Sequence, residues 1–361
     1  MQIMQMNMAS VPKGLAGVVV DQTAISDVRA QGELIYRGRS IDTLVDEPFM
    51  HVAGLVVDDR LDAQLQAKLA EEVNLDERET SFVLAVPQDL HPMKLLQSIV
   101  PALSGGGELG YGEADQGLRI AAKLPAVVAT HLLRRPVHLD ASLGYAESFL
   151  AAIGHGGNAE HAQAFNTTQI LQMEHSFNAG TFAARVVAST LAPVSACVSA
   201  GIGALSGPLH GGADEAVLNI ADTLNDTHAA REYVAAALQA GDKVPGMGHR
   251  EYRAIDPRAH FLEDWVVKLT QGGEHEKTYA ILREIDDCFS VAMRERGKPL
   301  HANVEFYKGL VLRVLGLPNH FFTAAFAMAR VYGYVAHFIE SRADNRIFRP
   351  AAEYVGRTPG P

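Results

Sequence analysis

Cysteine is nearly absent. Cys197 and Cys288 are the two in 361 residues, far apart and each in apolar or helical surroundings. That argues against a disulfide framework and against any cysteine cluster at zinc spacing. Positive charge is also short, with 31 Lys and Arg against 42 Asp and Glu and a formal net charge of −11. General affinity for nucleic acid needs a basic face, so no nucleic-acid partner is expected, and an anionic ligand must be drawn by a local arginine cluster. The N-terminal M-Q-I-M-Q-M-N-M-A-S lacks a basic n-region and a sustained apolar stretch; no signal peptide is expected, and the reading is cytoplasmic. The long uncharged run at 186–205 consists mostly of Ala, Ser, Thr and Gly, with Pro193 in its middle. It suits tight helix packing better than a membrane span. No internal repeat or low-complexity tract occurs.

What is present is ordinary globular composition, 48% hydrophobic and 20% charged, in a chain long enough for two domains. Val18 to Val20 and Leu34 to Tyr36 are β-prone runs within residues 14–39. From Ile41 the apolar spacing is helical. Leu61, Leu65, Leu69 and Val73 mark one amphipathic helix; Met93, Leu96 and Ile99 mark another after Pro92. The segment 104–117 reads as an exposed loop, helices are predicted at 118–134 and 141–153, and Gly241 stops a helix begun near residue 228. A last helix at about 320–341 places Phe321, Ala325, Met328, Tyr332 and Val335 on one inward face, with Arg330 on the same helix. The predicted fold is mostly all-α with a short β/turn N-terminal region.

Chemistry concentrates in Ser206–Arg258. This stretch opens with S-G-P-L-H-G-G-A-D-E and closes with V-P-G-M-G-H-R-E-Y-R-A-I-D-P-R. Each half sets a histidine, His210 or His249, beside glycines. A helix starts after His210, and its N-terminal dipole disfavours a second positive charge nearby. A neutral imidazole there can donate a hydrogen bond to a carbonyl becoming an enolate. Arg250, Arg253 and Arg258 can hold carboxylates or phosphates. Two glycine loops with capping or packing histidines are the plain alternative, and either motif alone is weak.

Taken together, G-P-L-H-G-G-A-D-E, V-P-G-M-G-H-R-E-Y-R-A-I-D-P-R, N-V-E-F-Y, and A-R-V-Y-G-Y-V-A-H-F-I-E with a following R-P resemble the citrate synthases. The N-terminal G-L-A-G-V-V-V-D-Q-T-A-I-S and E-L-I-Y-R-G are similar to the short bacterial and archaeal members. The resemblance runs from about Gly14 to Gly356. It implies a two-domain helical fold and condensation of acetyl-CoA with oxaloacetate, followed by hydrolysis of the citryl thioester. By motif position it implies His210 as the enolate-stabilising donor, His249 as the acid on the oxaloacetate carbonyl and Glu305 as the base. His175, Arg258 and Arg330 would contact oxaloacetate, and Arg349 would reach the partner subunit's site in a homodimer. The backbone of Val244, Pro245, Gly246, Met247 and Gly248 would take the adenine of CoA, and Lys298 a phosphate. No tightly bound cofactor and no metal are implied; the CoA thioester is a co-substrate. The large domain would comprise 1–210 and 311–361, with a small domain at 211–310 closing over substrate.

The chain departs from the family pattern at three positions. Glu305 stands where Asp is usual, Glu174 where Asp is common before His175, and Asp214 where Asn commonly follows H-G-G-A. An extra methylene at the base position displaces a carboxylate enough to matter, since a misplacement of one ångström costs about 10²-fold. These departures leave open 2-methylcitrate synthesis from propionyl-CoA, or a low-activity paralogue that binds CoA or a dicarboxylate as a sensor. A histidine metallohydrolase lacks support, because no H-E-x-x-H or comparable spacing occurs among the 15 histidines.

Overall fold

A computed structural model describes residues 12–15, 17–62, 64–103 and 112–357. Three short antiparallel strands open the chain: β1 (Ser26–Arg29), β2 (Glu33–Tyr36) and β3 (Arg39–Ser40), in that order across the sheet. Ser26 pairs with Tyr36, and Ile35 with Ser40. The run Val18–Val20 forms no strand, and Val19 is 87% exposed.

Helices make up the rest. They are α1 (Phe49–Asp58), α2 (Leu65–Lys68), α3 (Glu77–Ala85), α4 (Pro92–Leu103), α5 (Glu113–Leu133), α6 (Tyr145–Ala152) and α7 (Ala159–Gln172). Then come α8 (Ala179–Ala188), α9 (Val194–Leu205), α10 (Ala213–Thr223), α11 (Thr227–Ala240) and α12 (Ala259–Thr270). The last three are α13 (Glu276–Glu295), α14 (Val304–Val314) and α15 (Phe322–Ala343). Side chains set many of the starts. Asp76 and Glu79 form a capping box on α3, and Asn158, Asn178, Asp226 and Asn303 accept from the first-turn amides of α7, α8, α11 and α14.

The apolar spacing from Leu61 to Val73 yields a single α turn and a 3-10 turn rather than one helix. Residues 113–117 belong to α5, not to the expected loop. The remainder of that loop, 104–111, and the N-terminal ten residues lie outside the described set.

Helix α15 is buried on every side from Phe322 to Phe338, so its apolar content is wider than the single face the spacing suggests. Around it pack α5, α8, α9, α1 and α7. The uncharged run at 186–205 is divided between α8 and α9, which pack against each other with Pro193 as the cap of α9. Its small residues serve that packing. A Cβ on Gly201 would lie 2.6 Å from the Tyr334 ring, whose hydroxyl donates to the Gly201 carbonyl. Among the described residues no single helix is long and apolar enough to cross a membrane.

Helices α10 to α14 pack chiefly on one another, α12 and α10 against α14 and α11 against α13. Helix α7 touches both α12 and α14, and α10 touches α15 and the 3-10 turn before it; these contacts tie this group to the rest. The candidate site residues of the two glycine–histidine motifs and of α14 and α15 lie near that seam.

Candidate active site

His210 lies in the turn before α10, where its own amide bonds the Gly207 carbonyl. Its Nε2 is 3.2 Å from Asn178 Oδ1. That oxygen also accepts from the Gly180 and Thr181 amides, while Asn178 Nδ2 donates to Thr181 Oγ1 and the Ser176 carbonyl. The amide orientation is therefore set by the helix cap, and Nε2 of His210 must carry the hydrogen. Burial, followed by the charges of Arg330 and Lys308, pushes this imidazole down to about 4. It is neutral at physiological pH, as the expected role requires. Its one N–H is held by Asn178, so donating to a ligand means exchanging that bond.

His249 follows the turn V-P-G-M-G. Gly246, at φ +72°, could not be another residue without strain, and a Cβ there would meet Phe306 and Val217 at 2.9 Å. Nδ1 of His249 accepts from the amides of Glu251 and Tyr252, which leaves Nε2 as the protonated nitrogen. Burial and then Arg258 push His249 down to about 4. His175 sits edge-on to it with ring centroids 5.1 Å apart, its Nε2 3.0 Å from the Tyr252 hydroxyl. Burial and then Arg258 hold His175 well below the usual imidazole range. Arg258 is clasped by Asp256 through Nε and Nη2, at 2.9 and 2.8 Å, and Nη1 stands outside that pair. Asp256 also accepts from the Val304 amide at 3.0 Å, tying this cluster to the start of α14. Burial opposes its charge, yet Arg258 keeps Asp256 below the usual carboxylate range.

Arg330 is 1% exposed. Its Nε donates to the Gln172 carbonyl at 2.7 Å, and the guanidinium lies 4.7 Å over the Phe326 ring. Among the described residues no carboxylate is within ion-pair distance of it. A buried cation without an acid partner costs several kcal/mol unless something anionic binds beside it.

Glu305 occupies the first turn of α14, its amide bonded to the Asn303 cap at 2.9 Å. One turn later, fully buried Lys308 brings Nζ to 2.5 Å from Glu305 Oε2, 3.2 Å from Gln172 Oε1 and 3.0 Å from Asp214 Oδ2. The last contact is ionic rather than a well-aligned hydrogen bond, because Asp214 Oδ2 has no hydrogen-bond partner of good geometry. Burial raises Asp214 to about 7; Lys308 opposes the rise and Glu305 adds to it.

Beside His249 opens a cleft of about 390 Å³ lined by Tyr252, Arg253, Lys298, His301 and Asn303 among others. Lys298 is exposed at its edge, and Gly248 lines it. The chain around the cleft is held by the Gly248 amide on the His301 carbonyl and by Asn303 Nδ2 on the Gly248 carbonyl.

Residues 14–351 match the family model described as citrate synthase, C-terminal domain. The chain is 34% identical to a citrate synthase of Synechocystis sp., over 95% of this chain and 90% of that one. It is 33% identical to a 2-methylcitrate synthase of Shewanella oneidensis, over 96% and 95%. The chain belongs to the citrate synthase family. Solved structures agree. A Thermoplasma acidophilum citrate synthase, in a ternary complex with carboxymethyl coenzyme A and oxaloacetate, superposes with a TM-score of 0.89, 28% identity and 97% coverage of both chains. One from Pyrobaculum aerophilum gives 0.86 at 31% identity, covering 95% of this chain and 92% of that one. The mostly helical fold and the citrate synthase-type condensing activity follow from this membership.

Within this citrate synthase-family chain, His175, His249 and Arg258 are joined in one cluster. His210, Arg330 and Glu305 meet through Asn178, Phe326, Gln172 and Lys308. Val244 to Gly248 form the turn ahead of His249. Arg349 is not brought in: it is exposed after α15, with Nη1 on the Pro350 carbonyl. Sequence reasoning passed over Asn178, Asp256 and Lys308. The signal for Lys308 was available, since a lysine three residues after Glu305 shares its helix face within the apolar stretch V-E-F-Y-K-G-L-V-L.

Proposed function

We propose that this chain condenses acetyl-CoA with oxaloacetate and hydrolyses the resulting citryl thioester, with His210, His249 and Glu305 as its reacting side chains. One observation carries the assignment: a buried guanidinium, Arg330, that makes no ion pair among the described residues, next to histidines that are neutral. A dianionic ligand satisfies that cation, and uncharged imidazoles can then donate hydrogen bonds without competing for its charge.

In this reading Arg330, Nη1 of Arg258 and His175 hold the oxaloacetate carboxylates. Glu305 removes a methyl proton from the thioester while His210 exchanges its bond to Asn178 for one to the thioester oxygen. His249 gives the Nε2 hydrogen toward the ketone oxygen as the carbon–carbon bond forms, and Arg258 beside it supports the charge left behind. The CoA adenine rests on the backbone of Val244–Gly248, and Lys298 at the edge of the cleft meets a phosphate. Arg349 completes the site of a partner subunit in a homodimer, and residues 211–310 close as a small domain that excludes water from the enolate. The enzyme works in the cytoplasm.

Citrate and 2-methylcitrate synthases both stand among its relatives at similar identity. A pocket distinguishes the two acyl groups by only ~1–3 kcal/mol. Comparing kcat/KM for acetyl-CoA and propionyl-CoA with oxaloacetate tests the assignment. Preference for acetyl-CoA is expected; strong preference for propionyl-CoA reassigns the product. Tight ligand binding without thiol release from either thioester leaves the sensor reading.

A further inference from the structure

Lys308 is a lysine ammonium sealed from water between two carboxylates. Glu305 Oε2 lies at 2.5 Å and Asp214 Oδ2 at 3.0 Å, with the Gln172 amide oxygen at 3.2 Å and the Phe326 ring 4.4 Å away. One cation cannot neutralise both acids. Resting on Glu305 as the base, we infer that Asp214, acting through Lys308, is a positioning residue that keeps Glu305 able to accept a proton.

The argument is one of charge. With Asp214 ionised, the ammonium is shared and the cluster carries one net negative charge, which proton transfer to Glu305 discharges. With Asp214 neutral, Lys308 and Glu305 form a closed ion pair, and a proton arriving on Glu305 must break it inside a low-dielectric pocket. Asp214 is completely buried, is anchored by its Oδ1 on the Glu215 amide at 2.8 Å, and titrates at about 7. Its switching therefore falls within the working range of most enzymes.

The charged groups facing Asp214 bear this out. From α14 these are Lys308 and Glu305. In the preceding turn His210 feels both Lys308 and, from α15, Arg330. At the next position Glu215 faces outward, 3.8 Å from His91. From α13, Asp286 is taken up by the Tyr307 hydroxyl at 2.9 Å. The pair Arg313–Asp222 lies at the far end of α10. No second cation is available to satisfy Asp214 among the described residues.

A charge-swap cycle tests the inference. Asp214→Asn keeps the shape but hands Lys308 to Glu305 alone. It should lower kcat about tenfold with little change in KM for oxaloacetate, and the ionisation near pH 7 should vanish from the kcat profile. Adding Lys308→Met removes the cation as well and should return kcat to within about threefold of wild type. A purely structural role predicts the opposite, with the double variant worse than the single. If Asp214→Asn keeps both the wild-type rate and the wild-type pH profile, or if the double variant gains nothing over it, the linkage is wrong. Should either variant fail to fold, infrared difference spectra of the unmodified enzyme on either side of pH 7 decide: a protonated carboxyl band must give way to carboxylate. No such change overturns the inference. Glu305→Gln is measured alongside. Activity retained there overturns the base assignment and the linkage together, whereas activity lost there with Asp214→Asn unaffected overturns the linkage alone.

Discussion

The two sides of the site handle buried charge differently. On the side of His175 and His249, Asp256 clasps Arg258 through two hydrogen bonds, while buried Arg330 makes no ion pair among the described residues and feels the charge of Glu174 nearby. On the side of Glu305, two carboxylates face one ammonium, Lys308. Both clusters are buried, so neither surplus is dissipated by solvent. The first is left wanting an anion, and the second a proton. A condensing enzyme needs both: a dicarboxylate held firmly, and a weakly acidic methyl group deprotonated a few ångströms away. Between them stands His210, kept neutral by burial first and then by the positive charges of Arg330 and Lys308, one from each side.

The largest test of this contrast is on the negative side. Glu305→Gln should lower kcat about 10³-fold and leave oxaloacetate affinity unchanged, as a general base contributes to the chemical step alone. Equal losses in kcat and in affinity would mean the two sides are not separable.

Next is the positive side. Arg330→Met should lower kcat/KM for oxaloacetate about 10²-fold, through KM, by removing a charge-assisted carboxylate contact. In the ligand-free protein the same change deletes a buried cation that makes no ion pair among the described residues, so Tm should hold or rise. A marked fall in Tm would show that Arg330 is structural.

A smaller effect is expected between the sides. Asn178→Asp preserves the cap of α8, since Asp caps as well as Asn, but sets a carboxylate 3.2 Å from His210. The imidazolium form is favoured, so kcat should fall about tenfold at neutral pH and recover as pH rises. A rate that is insensitive to this substitution would remove the need for a neutral His210.

Stability gives a further test, which belongs to both sides at once. His210 and His249, each down to about 4 when folded, are neutral in both folded and unfolded chains above the usual imidazole value of about 6.5. As pH falls below that value the unfolded chain takes up protons first. Stability should therefore be fully present at neutral pH and decline toward about pH 4, by at most about 1.4 kcal/mol per pH unit for each histidine. Oxaloacetate should oppose the decline, and thermal melts across that range with and without it are the measurement. A flat profile would mean the histidines are more solvated than their burial indicates.

Much of the candidate site was legible in order along the chain, because the motifs that carry it keep the candidate residues beside the glycines and helix starts that aim them. His210 precedes a helix, His249 follows a turn that only glycine can make, and Glu305 sits in a helical first turn. The misreadings share a physical origin. Val18–Val20 has strand propensity but Val18 and Val19 stay exposed and pair with nothing in the sheet, and Leu61–Val73 has helical spacing but breaks into two short turns. The apolar face assigned to the last helix was too narrow because spacing reports only the difference between faces, and a helix buried all round has none.

By itself the sequence determined the helical class, the ordered motifs and the neutral-imidazole chemistry they favour, and through its resemblance to a family it pointed to the side chains proposed to react. Local geometry governs all of these, and local geometry is written in neighbouring residues. Tertiary structure alone decided the charge balance. Lys308 meets Asp214 across 94 positions of chain, and Arg330 meets Gln172 across 158. Whether a buried charge is satisfied depends on what arrives from elsewhere in the fold, since in a low-dielectric interior proximity in space outweighs proximity in sequence.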